Sequence, residues 1–418
     1  MTHNVNVLDY LPHELPKNIF FSIFLRSNYI LPFPEDVKRI IIYILLQIMH
    51  CNDRVTFIET LSPIEYNTFL QMMPVHNRFI FFQTIDGNVN IDNFLLAIHM
   101  NLLNFSRGTT SFMFKILDTT KNVKFVFKVM PYRINESSIE DNEKEICDIN
   151  DPSHEQNVDH RVALLLNNLP NISAQHIVTY YATFNSNIEN FINQPSDDIN
   201  INSYDDQYYN IVTVNVYEWC DGGNLLNYIR ENYQSMTLEQ WTIIFFQLLF
   251  TLATIQLKYP TFRHNCLKAN DILLKKTNQD LQCVNQYSLD NKCFIIPDIG
   301  LKIKISDFDF ACIDGIINND KVDSLWCEII NITRKENKYY DIHYFFNTLT
   351  QPNFFPQFYQ KYAVPQEIID FVHRILPERY RGRNTNYLGN GGRILVNTEY
   401  TTPYKVIMED PLFEKYRI

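Results

Sequence analysis

Between Trp241 and Gln256 the chain carries no charged residue. A run this apolar is too long for an ordinary strand and has to be covered by other parts of the chain. Thr237 precedes it and Gln240 comes three residues later, the spelling of a capping box, so a helix is predicted from Met236 to about Lys258. Directly after it comes Phe262-Arg-His-Asn-Cys-Leu-Lys-Ala-Asn-Asp-Ile-Leu-Leu274, where chemistry-bearing side chains alternate with apolar ones. A predicted strand, Leu301–Ser306, then ends in Asp307-Phe308-Asp309. A buried helix delivers the chain to a polar loop, and a strand end brings a carboxylate that is well placed to reach a metal ion.

Composition narrows the possibilities. A net charge of −11 disfavours nonspecific binding to nucleic acid or to an anionic membrane. The 8 cysteines form no CxxC pair and no metal-ligand rhythm, which points to reduced thiols in a cytosolic compartment. The first residues lack a basic stretch followed by an apolar core, so no leader is expected. Ile40–Leu46 is too short to span a bilayer, and Trp241–Gln256 has the length of a soluble core helix.

Residues 1–75 stand apart from the rest of the chain. Leu31-Pro-Phe-Pro-Glu-Asp36 opens an apolar stretch to His50, and Ser62-Pro63 starts a second helical pattern. The region reads as a helical extension, although its Leu-Pro opening also resembles an F-box. Strands are predicted at Phe79–Thr84, Ser111–Leu117 and Lys124–Met130, the last two joined as a hairpin by Asp118–Asn122. Lys128 lies among apolar neighbours in the second strand of that hairpin, where an unpaired ammonium is costly, so a partner or a phosphate is expected. Residues 135–159 carry nine acids and one Lys and read as a solvated insertion. A helix begins at their end, with Val158, Val162, Leu165 and Leu166 at helical spacing. His176–Phe184 resembles the passage into a strand, Ile211–Tyr217 is predicted as a strand, residues 185–210 as a loop insertion, and Lys276–Gly300 as a polar insertion.

Several of these stretches together resemble a serine/threonine protein kinase, and most of all the divergent kinases of poxviruses and giant DNA viruses. Tyr217-Glu-Trp-Cys-Asp-Gly-Gly-Asn-Leu-Leu226 is similar to a kinase hinge. His264-Asn-Cys-Leu-Lys-Ala-Asn-Asp271 is similar to the H-R-D-L-x-x-x-N catalytic loop, and Asp307-Phe308-Asp309 to D-F-G without its glycine. The resemblance spans about residues 100–415. It implies an α+β, two-lobed protein-kinase-like fold, with residues 1–75 an N-terminal helical extension, 76–220 the small lobe with an acidic insertion, and 221–418 the large lobe.

By the same resemblance, ATP and Mg are the expected cofactors. Gly108 stands at the first position of a degenerate phosphate loop, and Lys128 at the lysine that neutralises phosphates. The partner of Lys128 is Asp159 or Glu155; the sequence does not choose between them. The Glu218 carbonyl and the Cys220 N–H would face adenine. Lys268 would meet the γ-phosphate, and Asp271 and Asp307 would hold the metal. Tyr340-Asp341 would open the helix whose Asp ties down the catalytic loop. Cys266 replaces the catalytic Asp, and a thiol of reference pKa about 8.5 is a poor surrogate for a carboxylate. Arg379-Tyr-Arg-Gly-Arg383 with Arg393 is locally basic and reads as a solvated loop or a phosphate site. Three functions are compatible with this set: a nucleotide-binding pseudokinase that engages a viral or host protein, a weakly active kinase, and a structural virion protein with no nucleotide. Each implies host cytoplasm or virion.

Overall fold

The computed structural model describes residues 101–107, 111–117, 121–134, 151–169, 175–192, 208–277 and 284–418. The helices read in residues 1–75, the strand at Phe79–Thr84, Gly108 and the acidic stretch at 135–150 lie outside the described residues. Two compact units make up the chain, one of residues 101–183 and 194–418, the other of residues 1–100 with 184–193. Every described site residue belongs to the first.

Three strands open it: β1 (Asn101–Arg107), β2 (Phe112–Leu117) and β3 (Val123–Arg133). Phe112, Phe114 and Ile116 are buried while their neighbours in β2 are half-exposed, the period-2 alternation of a sheet with one covered face. Helix α1 (Glu155–Asn167) comes next, then β4 (Tyr180–Asn187), the one-turn helix α2 (Glu189–Ile192) and β5 (Tyr208–Glu218). The end of β4 and α2, both placed in the stretch read as loop, are the described part of the other unit. The sheet order is β1-β2-β3-β5-β4, and β3 pairs antiparallel with β5 in a register that sets Lys128 opposite Asn215.

After β5 come α3 (Leu225–Asn232) and the uncharged helix α4 (Leu238–Lys258). Thr237 accepts from the Gln240 N–H at 3.2 Å and Gln240 accepts from the Thr237 N–H at 2.9 Å, the reciprocal cap that the sequence spelled out. The helix is long and apolar enough to cross a membrane by length and composition, yet 78% of that window is buried inside the protein. Phe245 packs edge-on against Phe346 with ring centroids 5.0 Å apart, and Phe246 packs against Tyr287, Phe294 and Phe413.

Short strands follow: β6 (Phe262–Arg263), β7 (Ile272–Lys276), β8 (Val284–Leu289), β9 (Lys292–Pro297), β10 (Leu301–Ile305) and β11 (Cys312–Ile313). β7 pairs antiparallel with β10, and β6 with β11. The stretch read as a polar insertion contains the β8–β9 hairpin, with Tyr287, Leu289, Phe294 and Ile296 buried. The Tyr287 hydroxyl lies 3.0 Å from His176 Nε2, so the hairpin is built into the core. Helices α5 (Leu325–Ile329), α6 (Tyr340–Leu349), α7 (Gln366–Ile375) and α8 (Pro403–Glu409) complete the unit.

Gly222, just after β5, gives its N–H to the Leu274 carbonyl at 2.8 Å. A Cβ there would lie 2.7 Å from both the carbonyl oxygen and the Cβ of Leu274, closer than real contacts allow. Gly222→Ala is therefore expected to destabilise the protein by about 1–3 kcal/mol. A denaturant midpoint equal to that of the parent would refute the close approach.

Candidate functional site

Helix α1 and the segment after β10 converge on Lys128 in β3. Its ammonium, on the covered face of β3, lies 2.7 Å from Asp307 Oδ1, 2.6 Å from Asp309 Oδ1 and 3.3 Å from Asp159 Oδ1. Burial opposes its charge, but the three carboxylates outweigh that and hold its pKa well above the ordinary lysine value. The choice left open between Asp159 and Glu155 resolves geometrically. Asp159 faces Lys128 from α1, while Glu155, one turn earlier, points to Lys321 at 3.8 Å.

Asp159 does more than pair with the lysine. Its Oδ2 accepts from the Tyr217 hydroxyl at 2.6 Å and from Asn215 Nδ2 at 3.2 Å, both on β5. Its Oδ1 accepts from the Phe308 N–H at 2.9 Å. The buried carboxylate thus receives partners from β3, β5 and the segment after β10, as a buried charge requires.

The loop between β6 and β7 is held from α6. Asp341, buried near the start of that helix, accepts from the backbone N–H groups of His264 at 2.8 Å and Asn265 at 2.9 Å. Asn265 has φ 63°, a left-handed conformation that Asn tolerates better than most residues. His264 Nε2 lies 3.0 Å from the Ser306 carbonyl and so joins this loop to the strand end at Asp307, which itself has φ 64°.

Asp271 and Asp307 form the acidic side. Burial and the negative charge of Asp307 push the Asp271 carboxyl up to about 8, against the pull of Lys268. The Lys128 ammonium holds the half-exposed Asp307 carboxyl down at about 2. Lys268 sits 3.8 Å from Asp271 Oδ1, and its N–H donates to Asp271 Oδ2 at 3.1 Å. A buried carboxyl raised by a neighbouring one is the donor set a divalent cation neutralises, and all its donors are the oxygens a hard cation prefers. Asp159, Asp307 and Asp309 also present three carboxylate oxygens within 4.8 Å of one another, with Lys128 among them.

At the end of β5, the Glu218 side chain turns away from the strand to Lys304 at 2.6 Å and to the Thr179 hydroxyl at 2.6 Å. Trp219 offers its carbonyl to Lys275 Nζ at 2.6 Å. The Cys220 thiol is buried and pushed up to about 12 by that burial.

Two residues of the site were not foreseen. Asp309 stands where a D-F-G segment has glycine, and the acid in place of glycine was its only signal. Arg393 belongs to the basic stretch read as solvated or as a phosphate site, and it is neither exposed nor free. It is buried, donates to the Asn265 carbonyl, to the Tyr340 hydroxyl at 3.1 Å and to Cys266 Sγ at 3.4 Å, and lies 4.0 Å over the Tyr344 ring. The rest of that stretch is partly used locally: Arg381 Nε donates to the Leu376 carbonyl at 2.7 Å, and Arg379 lies over the Tyr380 ring.

A sequence profile of the poxvirus serine/threonine protein kinases matches residues 154–379, from the cap of α1 to beyond α7. R400 of Acanthamoeba polyphaga mimivirus, named a putative serine/threonine-protein kinase, is 47% identical over 340 residues, which cover 77% of this chain and 70% of R400. The chain belongs to the poxvirus serine/threonine protein kinase family. A second mimivirus protein, R301, named in the same way, is 40% identical over 74 residues, 17% of this chain and 18% of its own length. The mixed helix and sheet content accords with the α+β fold of this kinase family.

Proposed function

We propose that this kinase-family chain is a pseudokinase: it binds Mg-ATP at Lys128 and acts as a scaffold or regulator for a viral or host protein, transferring phosphate poorly. In this reading the five-stranded sheet with α1 forms the small lobe of a two-lobed kinase fold, and the helical body forms the large lobe. Residues 1–75 are an added helical extension. The observation that carries the proposal is the contrast between the two halves of the site. Lys128, Asp159, Asp271 and Asp307 retain the side chains that would hold a metal nucleotide, while the catalytic-loop position carries Cys266. Burial pushes that thiol above its ordinary range, against the charges of Arg393 and Lys268, so it stays protonated near neutrality.

A nucleotide would take its adenine contacts from the Glu218 carbonyl and the Cys220 N–H, with Lys128 on its phosphates. Gly108 and its neighbours would supply a weaker phosphate cradle than a loop with three glycines. Asp271 and Asp307 would hold Mg²⁺, which bridges phosphate oxygens and neutralises their charge when bound. The five described free cysteines suit a reducing interior, host cytoplasm or virion.

Thermal unfolding with Mg-ATP, ATP alone and Mg²⁺ alone tests the binding half. Ligand at about 100 times its Kd stabilises a folded protein by about 2.7 kcal/mol. Mg-ATP is expected to raise Tm by several degrees at millimolar concentration. No shift would support the alternative of a structural virion protein without nucleotide, in which the three acids occupy Lys128 permanently. Labelled-phosphate transfer tests the other half. Lys268 held beside Asp271 favours a weakly active kinase as the second reading, and robust turnover by the wild type would establish it.

Binding carries a pH signature. Asp271, raised to about 8, takes up a proton on folding that the unfolded chain, with an ordinary carboxyl, does not hold above its own lower pKa. Stability from this group is therefore present at low pH and lost as pH rises towards 8, unless a cation replaces the proton. Mg²⁺ is expected to stabilise the protein more at pH 8 than at pH 6, and Asp271→Asn is expected to flatten that difference. Equal Mg²⁺ shifts at both pH values would count against Asp271 as a ligand.

A further inference from the structure

The buried arginine beside the catalytic loop is set there by its own scaffold. Gly392, the residue before it, has φ 77°, and a Cβ there would lie 2.1 Å from Gln351 Nε2 and 2.9 Å from Asn347 Nδ2. Asn347, buried in α6, donates to the Gly392 carbonyl at 2.7 Å and to the Gly382 carbonyl at 2.8 Å, and accepts from the Gly382 N–H at 2.8 Å. On the other side of Arg393, Asn331 Nδ2 donates to the Ile394 carbonyl at 2.9 Å. Asn331 in turn accepts through its carbonyl from Arg263 Nη2 at 2.7 Å, on β6. Two buried asparagines therefore clamp the backbone on either side of Arg393, one from the helix behind the catalytic loop and one tied to the strand that leads into it.

We propose that Arg393 is a positioning residue of the catalytic loop, one that fixes the Asn265–Cys266 backbone and keeps a permanent positive charge against Cys266 on the acceptor side of the site. The inference rests on reading 262–274 as a catalytic loop, but its test needs neither nucleotide nor turnover. A base that takes a proton from an acceptor hydroxyl works best when nothing else holds its charge. A guanidinium whose Nη2 already meets the side chain at 266 would pair with a carboxylate there and lower its basicity. This side of the site is then closed to general-base catalysis twice, by the thiol and by the cation behind it.

The test is the pH profile of Cys266 alkylation by iodoacetamide in the full-length protein, followed on the peptide that contains it by mass spectrometry. Cys266 is partly exposed, so the reagent reaches it. The charged groups facing it are Arg393, Lys268, Asp271 and Asp307. Loss of one cation within contact distance typically moves a pKa by about one unit or more. Arg393→Met is expected to shift the alkylation midpoint up by that amount. Arg393→Lys keeps the charge and is expected to stay closer to wild type. A role in packing alone predicts the opposite sign, because a loosened, hydrated loop lets the thiol fall back towards its ordinary value. A midpoint that is unchanged or lowered in Arg393→Met overturns the proposal. Should Arg393→Met fail to fold, Arg393→Gln provides the same comparison, with the same outcomes deciding it.

Discussion

Lys128→Met is expected to lose nucleotide-dependent stabilisation and to weaken the fold itself, the larger effect of the two. The ammonium is the cation shared by three carboxylates, at 2.7 Å from Asp307, 2.6 Å from Asp309 and 3.3 Å from Asp159. Removing one partner of a buried ion pair costs about 3–5 kcal/mol, chiefly because the remaining charge is left uncompensated. Asp159 is fully buried and Asp309 mostly so, but the Asp307 side chain is 51% exposed, and water offsets part of its share. The loss is therefore expected towards the lower end of that range. Asp309→Asn in the Lys128→Met background removes one of the stranded charges and is expected to recover stability without restoring nucleotide binding. That split separates the structural role of Lys128 from its role with phosphate. Unchanged unfolding in Lys128→Met would overturn the structural role of this ion-pair cluster.

Cys266→Asp combined with Asp271→Asn is expected to raise phosphotransfer from a very low base. General-base assistance is typically worth about 10²–10⁴ in rate, or roughly 3–5 kcal/mol at about 1.36 kcal/mol per tenfold. A thiol is a weak hydrogen-bond partner and cannot orient an acceptor hydroxyl as a carboxylate does. Asp271→Asn removes a carboxyl whose proton affinity burial and the Asp307 charge raise, so it tunes metal binding rather than creating activity. Two features hold the gain to about one or two powers of ten, at the foot of the general-base range. The proposed phosphate loop would keep only Gly108 of three glycines, and Arg393 would pair with the new carboxylate at 266. Autophosphorylation or transfer to a generic basic protein, under single-turnover conditions, gives the readout. Wild type as fast as the double variant would show that Cys266 is no lesion, and the pseudokinase reading would fall.

What the chain revealed before its structure was known depended on how local each feature is. Helix α4 was legible because Thr237, Gln240 and the uncharged run after them lie within one segment and mean the same thing. Lys128 was legible as a buried cation in need of a partner, but its partner was not. Glu155 and Asp159 lie a turn apart on one helix, and only the placement of α1 against β3 and β5 separates them. The β8–β9 hairpin was hidden because exposed Gln286 and Ser288 interleave with buried Tyr287 and Leu289, and the whole reads as solvated chain. Asp309 and Arg393 lay furthest out of reach. Each acts on a residue more than a hundred positions away, and nothing in the local spelling distinguishes an arginine under a loop from one in water.

Asp159 ties together parts that in a mobile kinase would move separately. One carboxylate holds the ammonium of β3, the hydroxyl and amide of β5, and the backbone after β10. Helix α1 therefore cannot swing outward by degrees, shedding one bond and keeping the rest, because all of these partners converge on the same two oxygens. Any protein that engages this helix would meet a latch with two settings rather than a dial.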